Sequence, residues 1–223
     1  FLPEYQPRLL PGPDVRTVLG WGRRPTTRAG RLWSRVTGLP YVALEDGFLR
    51  SVGLGEAGAA SLSLIVDDLG TYYDATRPSR LEQTIADAPD WCDAAMRTRT
   101  RALIDRIVAA GLSRTNFGGP LDRSILCDGP RVLVVDQTRG DASIRFGMAA
   151  PDAFAAMMAA ARASHPDAQL IIKRHPAVAA GLKSGCITDA DLNGVTLVDT
   201  DVRPADLLAE VDAVYTVTSG LGF

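Results

Sequence analysis

Soft metal ligands and groups that titrate near neutral pH are scarce in this chain: its 223 residues include three cysteines and two histidines. Cys92, Cys127 and Cys186 stand far apart, without the paired spacing of a thiolate metal site. An odd, sparse set is not a disulfide framework either, and it suits a reducing cytoplasm. No stretch approaches the roughly 20 consecutive apolar residues of a membrane-spanning helix. The opening FLPEYQPRLLPGPD holds four prolines and no long apolar core. It reads as neither a signal peptide nor an anchor, but as an extended lead-in strapped over the surface. Basic excess is also missing. A formal net charge of −2 argues against a dedicated nucleic-acid binder. Any membrane association is expected to be peripheral.

Hydrophobic residues at 46% suffice for real cores, and the length suits two small domains. In the first half, strands are expected over Val15–Leu19, Pro40–Leu44 and Leu62–Val66. A helix over Arg28–Val36 intervenes, closed by Gly38. Ser79 with Glu82 has capping-box spacing, and Asp90 is expected to cap a longer helix ending at Gly111. Ser113–Pro130, rich in glycine and proline, reads as the linker. The second half repeats the grammar: strands at Val132–Val135, Leu170–Ile172, Val195–Val198 and Ala213–Val217, with helices at Pro151–Ser164 and Ala205–Val211. Alternation of this kind predicts an α/β protein of two Rossmann-like domains with parallel sheets, residues 1–120 and 121–223, facing across a cleft. Ligands of such sheets bind at the carboxyl ends of strands.

The polar motifs fall at those ends. Glu45-Asp46-Gly47 follows the second strand; the pair reads as cleft acids or bases, or as a turn with a surface charge. In Asp136-Gln137-Thr138-Arg139-Gly140-Asp141-Ala142-Ser143, Asp141 projects into the cleft or merely caps a helix. Lys173-Arg174-His175-Pro176 gathers cationic groups suited to a phosphate or carboxylate, with Pro176 restricting His175. His165, in a helix-to-strand loop, is expected to have no role in the chemistry. Thr218-Ser219-Gly220 resembles the start of an anion site, or an ordinary strand-to-turn junction. Two motifs mislead. Residues 53–58 spell G-x-G-x-x-G without a strand before and a helix after, so a dinucleotide-binding oxidoreductase is remote. Asp199-Thr200-Asp201 mimics a metal-holding D-x-D, but a cap for the helix at Pro204 is preferred.

Taken in order, EDGFLRSVGLG at 45–55, VDDLGTYYDATRPS at 66–79, DQTRGDASI at 136–144, KRHP at 173–176 and TSGLGF at 218–223 resemble the KpsC-type capsular polysaccharide β-Kdo transferases. The GWG at 20–22 fits as well. This resemblance implies a GT-B arrangement, CMP-β-Kdo as donor and retention of configuration. It also implies a lipid-linked Kdo oligosaccharide acceptor at the inner face of the cytoplasmic membrane. Full members carry two transferase modules, of which this chain covers at most one, and the family text continues past Gly222-Phe223. A second module or a partner Kdo transferase is therefore expected.

Kdo bears a carboxylate on its anomeric carbon and CMP leaves as a monophosphate, so the site must hold two anions while positive charge grows. Lys173, His175, Thr218 and Ser219 can do so by preorganised electrostatics, without a metal or other cofactor. Retention calls for a carboxylate nucleophile and an acid/base. Asp141 is expected in the first role and Glu45 in the second, with Gln137 orienting and Arg139 pairing the sugar carboxylate. Asp46 and Asp136 stand in reserve. The rival expectations are an inverting sialyltransferase-like enzyme and a non-catalytic module binding CMP-sugar or polysaccharide.

Overall fold

A computed structural model describes residues 6–53, 58–150, 152–199 and 201–222. The lead-in does not pack as expected. Residues 6–14 are irregular and exposed, with Leu9 and Leu10 open to solvent.

Strand β1 (Val18–Trp21) is followed by a 3-10 turn at Pro25 and helix α1 (Arg28–Thr37). Gly38 ends α1 in the left-handed conformation, φ 72°, as its position suggested. Strand β2 (Tyr41–Asp46) runs parallel to β1, with Val18 opposite Tyr41 and Trp21 opposite Leu44. It is longer than expected, so Glu45 and Asp46 are strand residues and point to opposite faces of the sheet.

Strand β3 (Leu64–Asp67) corrects the expectation of a parallel first sheet. It pairs antiparallel with β2, Asp46 lying opposite Leu64. A parallel return needs a crossover, usually a helix. Here the chain doubles back: the Gly47 N–H bonds the Ser63 carbonyl at 3.0 Å and the Leu62 N–H bonds that of Arg50 at 2.6 Å.

Helix α2 (Arg80–Ala86) opens with the full Ser79–Glu82 capping box. Where one long helix capped by Asp90 was expected, there are two, α3 (Ala88–Trp91) and α4 (Ala94–Ala109). Asp90 lies inside α3, and Asp93 caps α4 by accepting the Met96 N–H at 2.7 Å. Residues 113–130 are no slack linker. The Asn116 N–H bonds the Ser51 carbonyl at 3.0 Å and the Gly119 N–H bonds that of Asp201 at 2.6 Å, which stitches the segment to both halves. Gly118 allows this contact, since a Cβ there would stand 2.8 Å from backbone atoms of residues 201–203.

The second half is built on β4 (Arg131–Val135), followed by α5 (Ala142–Phe146), α6 (Ala153–Ser164), β5 (Gln169–Lys173), α7 (Pro176–Ala179), β6 (Thr196–Val198), α8 (Pro204–Leu208) and β7 (Ala213–Tyr215). The strands form one parallel sheet in the order β6-β5-β4-β7. Its apolar runs are covered on both faces, as parallel sheets require. Val132, Val134 and Ile172 pack with Phe154, Met157, Met158 and Ala161 of α6. Leu133, Val135 and Ile171 pack with Val202 and Leu207 on the other side. Each side chain so buried contributes roughly 1.5–3 kcal/mol. No helix among the described residues is long and apolar enough to cross a membrane.

Candidate active site

Glu45, near the end of β2, accepts a hydrogen bond from the Tyr73 hydroxyl at 2.8 Å. The Arg23 N–H in turn bonds the Tyr73 oxygen at 3.0 Å. Burial pushes the Glu45 carboxyl above its ordinary range, opposed by Tyr73 and then Arg24; Asp46 adds to the rise and Arg114 works against it. Burial likewise raises Tyr73, which keeps its proton and remains a donor. Gly22, at φ 45°, makes the room: a Cβ there would collide with both the Glu45 carboxylate and the Tyr73 hydroxyl. Asp46 faces the other way, ion-paired with Arg50 at 2.6 Å, while its buried Oδ1 finds no partner.

At the end of β4 the two aspartates do different work. Asp136 is buried, and its Oδ1 accepts the N–H groups of Gln137, Cys186 and Ile187, each at 2.9 Å. It pins the 185–187 turn against the sheet, and its Oδ2 is buried without a hydrogen-bond partner. Asp141 caps α5, its Oδ1 accepting from both the N–H and the hydroxyl of Ser143 at 2.8 Å. The capping alternative is thus realised. The bonds do not stop there: Ser143 Oγ lies 2.9 Å from Thr218 Oγ1, and Gln137 Nε2 donates to that same oxygen at 2.9 Å. The Thr218 N–H bonds Gln137 Oε1 at 2.9 Å, closing the ring. Asp141, Ser143, Gln137 and Thr218 are therefore one polar network joining two strand ends.

The basic cluster divides. Lys173 is buried at the end of β5, and burial lowers its ammonium pKa against the pull of Asp201 and Asp199. Arg174 pairs with Asp199 at 3.4 Å and Asp189 at 3.6 Å. His175 caps α7, its Nδ1 accepting the Ala177 N–H at 3.1 Å. An accepting Nδ1 leaves the proton on Nε2, so the ring presents a donor there. Arg139 is exposed, its own N–H bonded to the Ser184 carbonyl at 2.8 Å. Ser219 Oγ accepts the Leu221 N–H at 3.3 Å and starts a 3-10 turn, Gly220–Gly222. His165 stacks edge-on against Tyr215. The preferred capping role for Asp199 and Asp201 is corrected: Arg203 is the N-cap of α8, without a side-chain cap bond. Asp199 is drawn instead to Arg174, and the Asp201 carbonyl to Gly119. Residues 54–57 and Thr200 lie outside the described residues.

Sequence reasoning passed over Arg114. Its guanidinium approaches the Gly47 carbonyl at 3.5 Å and its charge acts on Tyr72, working against the rise that burial gives that phenol. Its stem runs beside Gly220, where a Cβ would lie 3.1 Å from Arg114 Cδ. One arginine thus touches the Glu45-Asp46-Gly47 and Thr218-Ser219-Gly220 segments together, and nothing in its local sequence marks it. Phe146 was missed too. The Arg23 guanidinium lies 4.4 Å from the centre of its ring, and its carbonyl accepts the Ala75 N–H at 2.9 Å. At about 1.5 Å per residue, α5 separates its Asp141 cap from Phe146 by roughly 8 Å along the helix. Of two open concavities, one of about 490 Å³ is lined by α4 residues such as Arg97 and Arg101, and one of about 310 Å³, beside these groups, by Tyr72, Asp74 and α2.

A parallel sheet with acids, hydroxyls and cations at its strand ends defines an α/β protein whose candidate site lies at the carboxyl end of that sheet. The chain belongs to the family described as capsule polysaccharide biosynthesis protein, which matches residues 16–112 and 123–223. Arg114 falls between the two matched stretches. The chain is 42% identical over its whole length to the capsule polysaccharide modification protein LipA of Neisseria meningitidis serogroup B, covering 32% of that protein. It is 38% identical over 91% of its length to the lipopolysaccharide-processing protein LpsZ of Rhizobium meliloti, covering 47% of it. Among solved structures it resembles Thermosulfurimonas dismutans KpsC, beta Kdo 2,4 transferase, with a TM-score of 0.84 and 40% identity, over 95% of this chain and 66% of that one. The beta Kdo 2,7 transferase of the same KpsC matches with a TM-score of 0.64 and 26% identity, over 93% and 60%. The KpsC-type resemblance therefore holds. The chain spans about a third of the length of the LipA relative.

Proposed function

We propose that this chain is the core of a retaining glycosyltransferase that moves Kdo from CMP-β-Kdo to a lipid-linked capsular acceptor. Residues 1–120 form the acceptor side and 121–223 the donor side of a GT-B cleft. The observation that carries this reading is the Asp141–Ser143–Thr218–Gln137 network, in a chain 40% identical to a β-Kdo transferase. It aims one carboxylate from two strand ends at once.

Ser143 occupies Oδ1 of Asp141, which leaves Oδ2 to attack the anomeric carbon. The bond to the phosphate oxygen breaks, CMP departs with the electron pair, and a Kdo–Asp141 ester forms. The leaving phosphate is received by the His175 Nε2–H, Lys173 and the Ser219 hydroxyl, without a metal. Arg114 supplies a cation for the sugar carboxylate, ahead of the exposed Arg139. Glu45 then takes the proton of the acceptor hydroxyl, which attacks the same carbon and frees Asp141. Carboxylates in a buried setting suit such acid/base work because desolvation lifts their pKa towards the working pH.

The capping bonds of Asp141 favour one alternative, an inverting transferase in which Asp141 is only structural and Glu45 is the base. Product stereochemistry separates the two. A screen of CMP-Kdo, CMP-sialic acid and UDP-sugars, with the anomeric configuration read by NMR, tests donor and outcome together. Transfer from UDP-sugars alone, or inversion, overturns the proposal, as does activity abolished by EDTA and restored by a divalent metal.

A further inference from the structure

Helix α1 is amphipathic in the wrong direction for a helix that packs on a sheet. Its small face does the packing: Gly30 meets β1, where a Cβ would lie 3.3 Å from Val18, and Ser34 bonds the Leu39 carbonyl at 2.6 Å. The 3.6-residue period then turns Ala29, Leu32, Trp33 and Val36 outward. Leu32 is 58%, Trp33 43% and Val36 74% exposed. Scattered exposed leucines need no explanation, but three large apolar side chains on one helical arc do.

Charge narrows what can cover this arc. Between residues 15 and 44 there are six arginines and no Asp, Glu or Lys. Three of the six are engaged by the protein: Arg16 donates to the Pro13 carbonyl at 3.1 Å, Arg23 is ion-paired with buried Asp74 at 2.5 Å, and Arg31 reaches back to the Arg24 carbonyl at 3.2 Å. Arg24, Arg28 and Arg35 remain exposed, and Arg28 and Arg35 lie along the flank of the apolar arc. An apolar stripe containing a tryptophan, bordered by arginines and free of acids, is the pattern of a helix lying in a membrane interface. A protein partner or a second copy of this chain needs apolar area but not a one-signed border; an anionic bilayer needs both. Position agrees. Helix α1 leaves the carboxyl end of β1, the same sheet end that carries Gly22 and Glu45.

We propose that the Leu32–Trp33–Val36 face of α1, with Arg24, Arg28 and Arg35, docks this protein onto anionic phospholipid, with the mouth of the Glu45 site beside the bilayer. The contact itself is independent of the transferase reading; only its use, to meet a lipid-linked acceptor, rests on that reading.

Vesicle co-sedimentation tests it, with phosphatidylglycerol-containing and pure phosphatidylcholine vesicles. The protein is expected to pellet with the first, to stay in solution with the second, and to be released as salt rises. Arg28→Gln with Arg35→Gln should weaken binding roughly 30-fold, taking about 1 kcal/mol per arginine near the surface and about tenfold per 1.4 kcal/mol. Leu32→Asp with Val36→Asp should abolish it while donor hydrolysis continues. Brominated lipid should quench fluorescence of the parent, and Trp33→Phe should lose that quenching. Three results overturn the proposal: no binding to anionic vesicles, equal binding to neutral ones, or unchanged binding by the α1 variants. A dimer that Leu32→Asp with Val36→Asp splits would assign the face to a second copy and overturn it as well.

Discussion

The Tyr73 hydroxyl bonds Glu45 Oε1 at 2.8 Å, and both groups occupy the space left by the missing side chain of Gly22. Glu45 is thereby held in one orientation in a setting that disfavours its charge. The pH dependence of the reaction follows from that. As a base, Glu45 must be ionised, so kcat is expected to fall as pH drops through its raised pKa, above the ordinary carboxylate range. Tyr73→Phe removes a bond that stabilises the ionised form, so it should move this acidic limb to higher pH. A pH–rate profile in which Tyr73→Phe leaves the limb in place would separate Glu45 from the limb.

The same shift has a consequence for stability. A carboxyl raised on folding contributes stability that is present below its unfolded pKa and lost as pH rises through the folded one. Glu45→Gln should therefore stabilise the protein above that window and make no difference below about pH 4. Thermal melts at pH 4 and pH 8 check the sign, and transfer activity should be lost in the same variant.

Gly22→Ala tests whether the glycine serves this arrangement. The left-handed φ alone costs a non-glycine residue about 1 kcal/mol, before the collision with Glu45 and Tyr73. A urea titration should show at least that loss, with a larger loss in transfer than in folded fraction.

Asp141 carries two roles that one variant can part. Serine also caps helices well, so Asp141→Ser should keep most of the stability, whereas Asp141→Ala should lose about 1 kcal/mol. Both should lose transfer by orders of magnitude and form no Kdo adduct by intact mass after incubation with CMP-Kdo. An adduct of the same mass on either variant removes Asp141 from the nucleophile's role.

Thr218→Val deletes the hydroxyl that Ser143 and Gln137 share. Leaving those groups without it should cost about 1–3 kcal/mol. Thr218→Ser should restore most of the stability and the activity, which a denaturation series and rate measurements can compare.

Arg114→Ala should raise KM for CMP-Kdo more than it lowers kcat, roughly tenfold or more if it holds the sugar carboxylate. Because Arg114 also lowers the Glu45 pKa, the acidic limb should move to higher pH as well. An unchanged KM would confine Arg114 to joining the segments around Gly47 and Gly220.

Some of this protein was determined by the sequence alone, because the forces involved are local. The Ser79–Glu82 box and the Gly38 terminus depend on neighbours within a few residues, and each forms where the sequence put it. The motif order was equally legible, and with it the family. Tertiary structure decided the rest. Periodicity shows that α1 has an apolar arc but not that Gly30 and Ser34 face the sheet and turn that arc outward. Hydrophobic runs mark β3 without its direction, which the pairing of residues 47–50 with 62–63 reverses. A strand-end aspartate reads alike as a pin, a cap or a nucleophile. Only contacts across many residues distinguish Asp136, held by three amides, from Asp141, tied through Ser143 to Thr218. Arg114 is unmarked by its neighbours in sequence, since its surroundings come from residues 47, 72 and 220, far apart along the chain and adjacent once it folds.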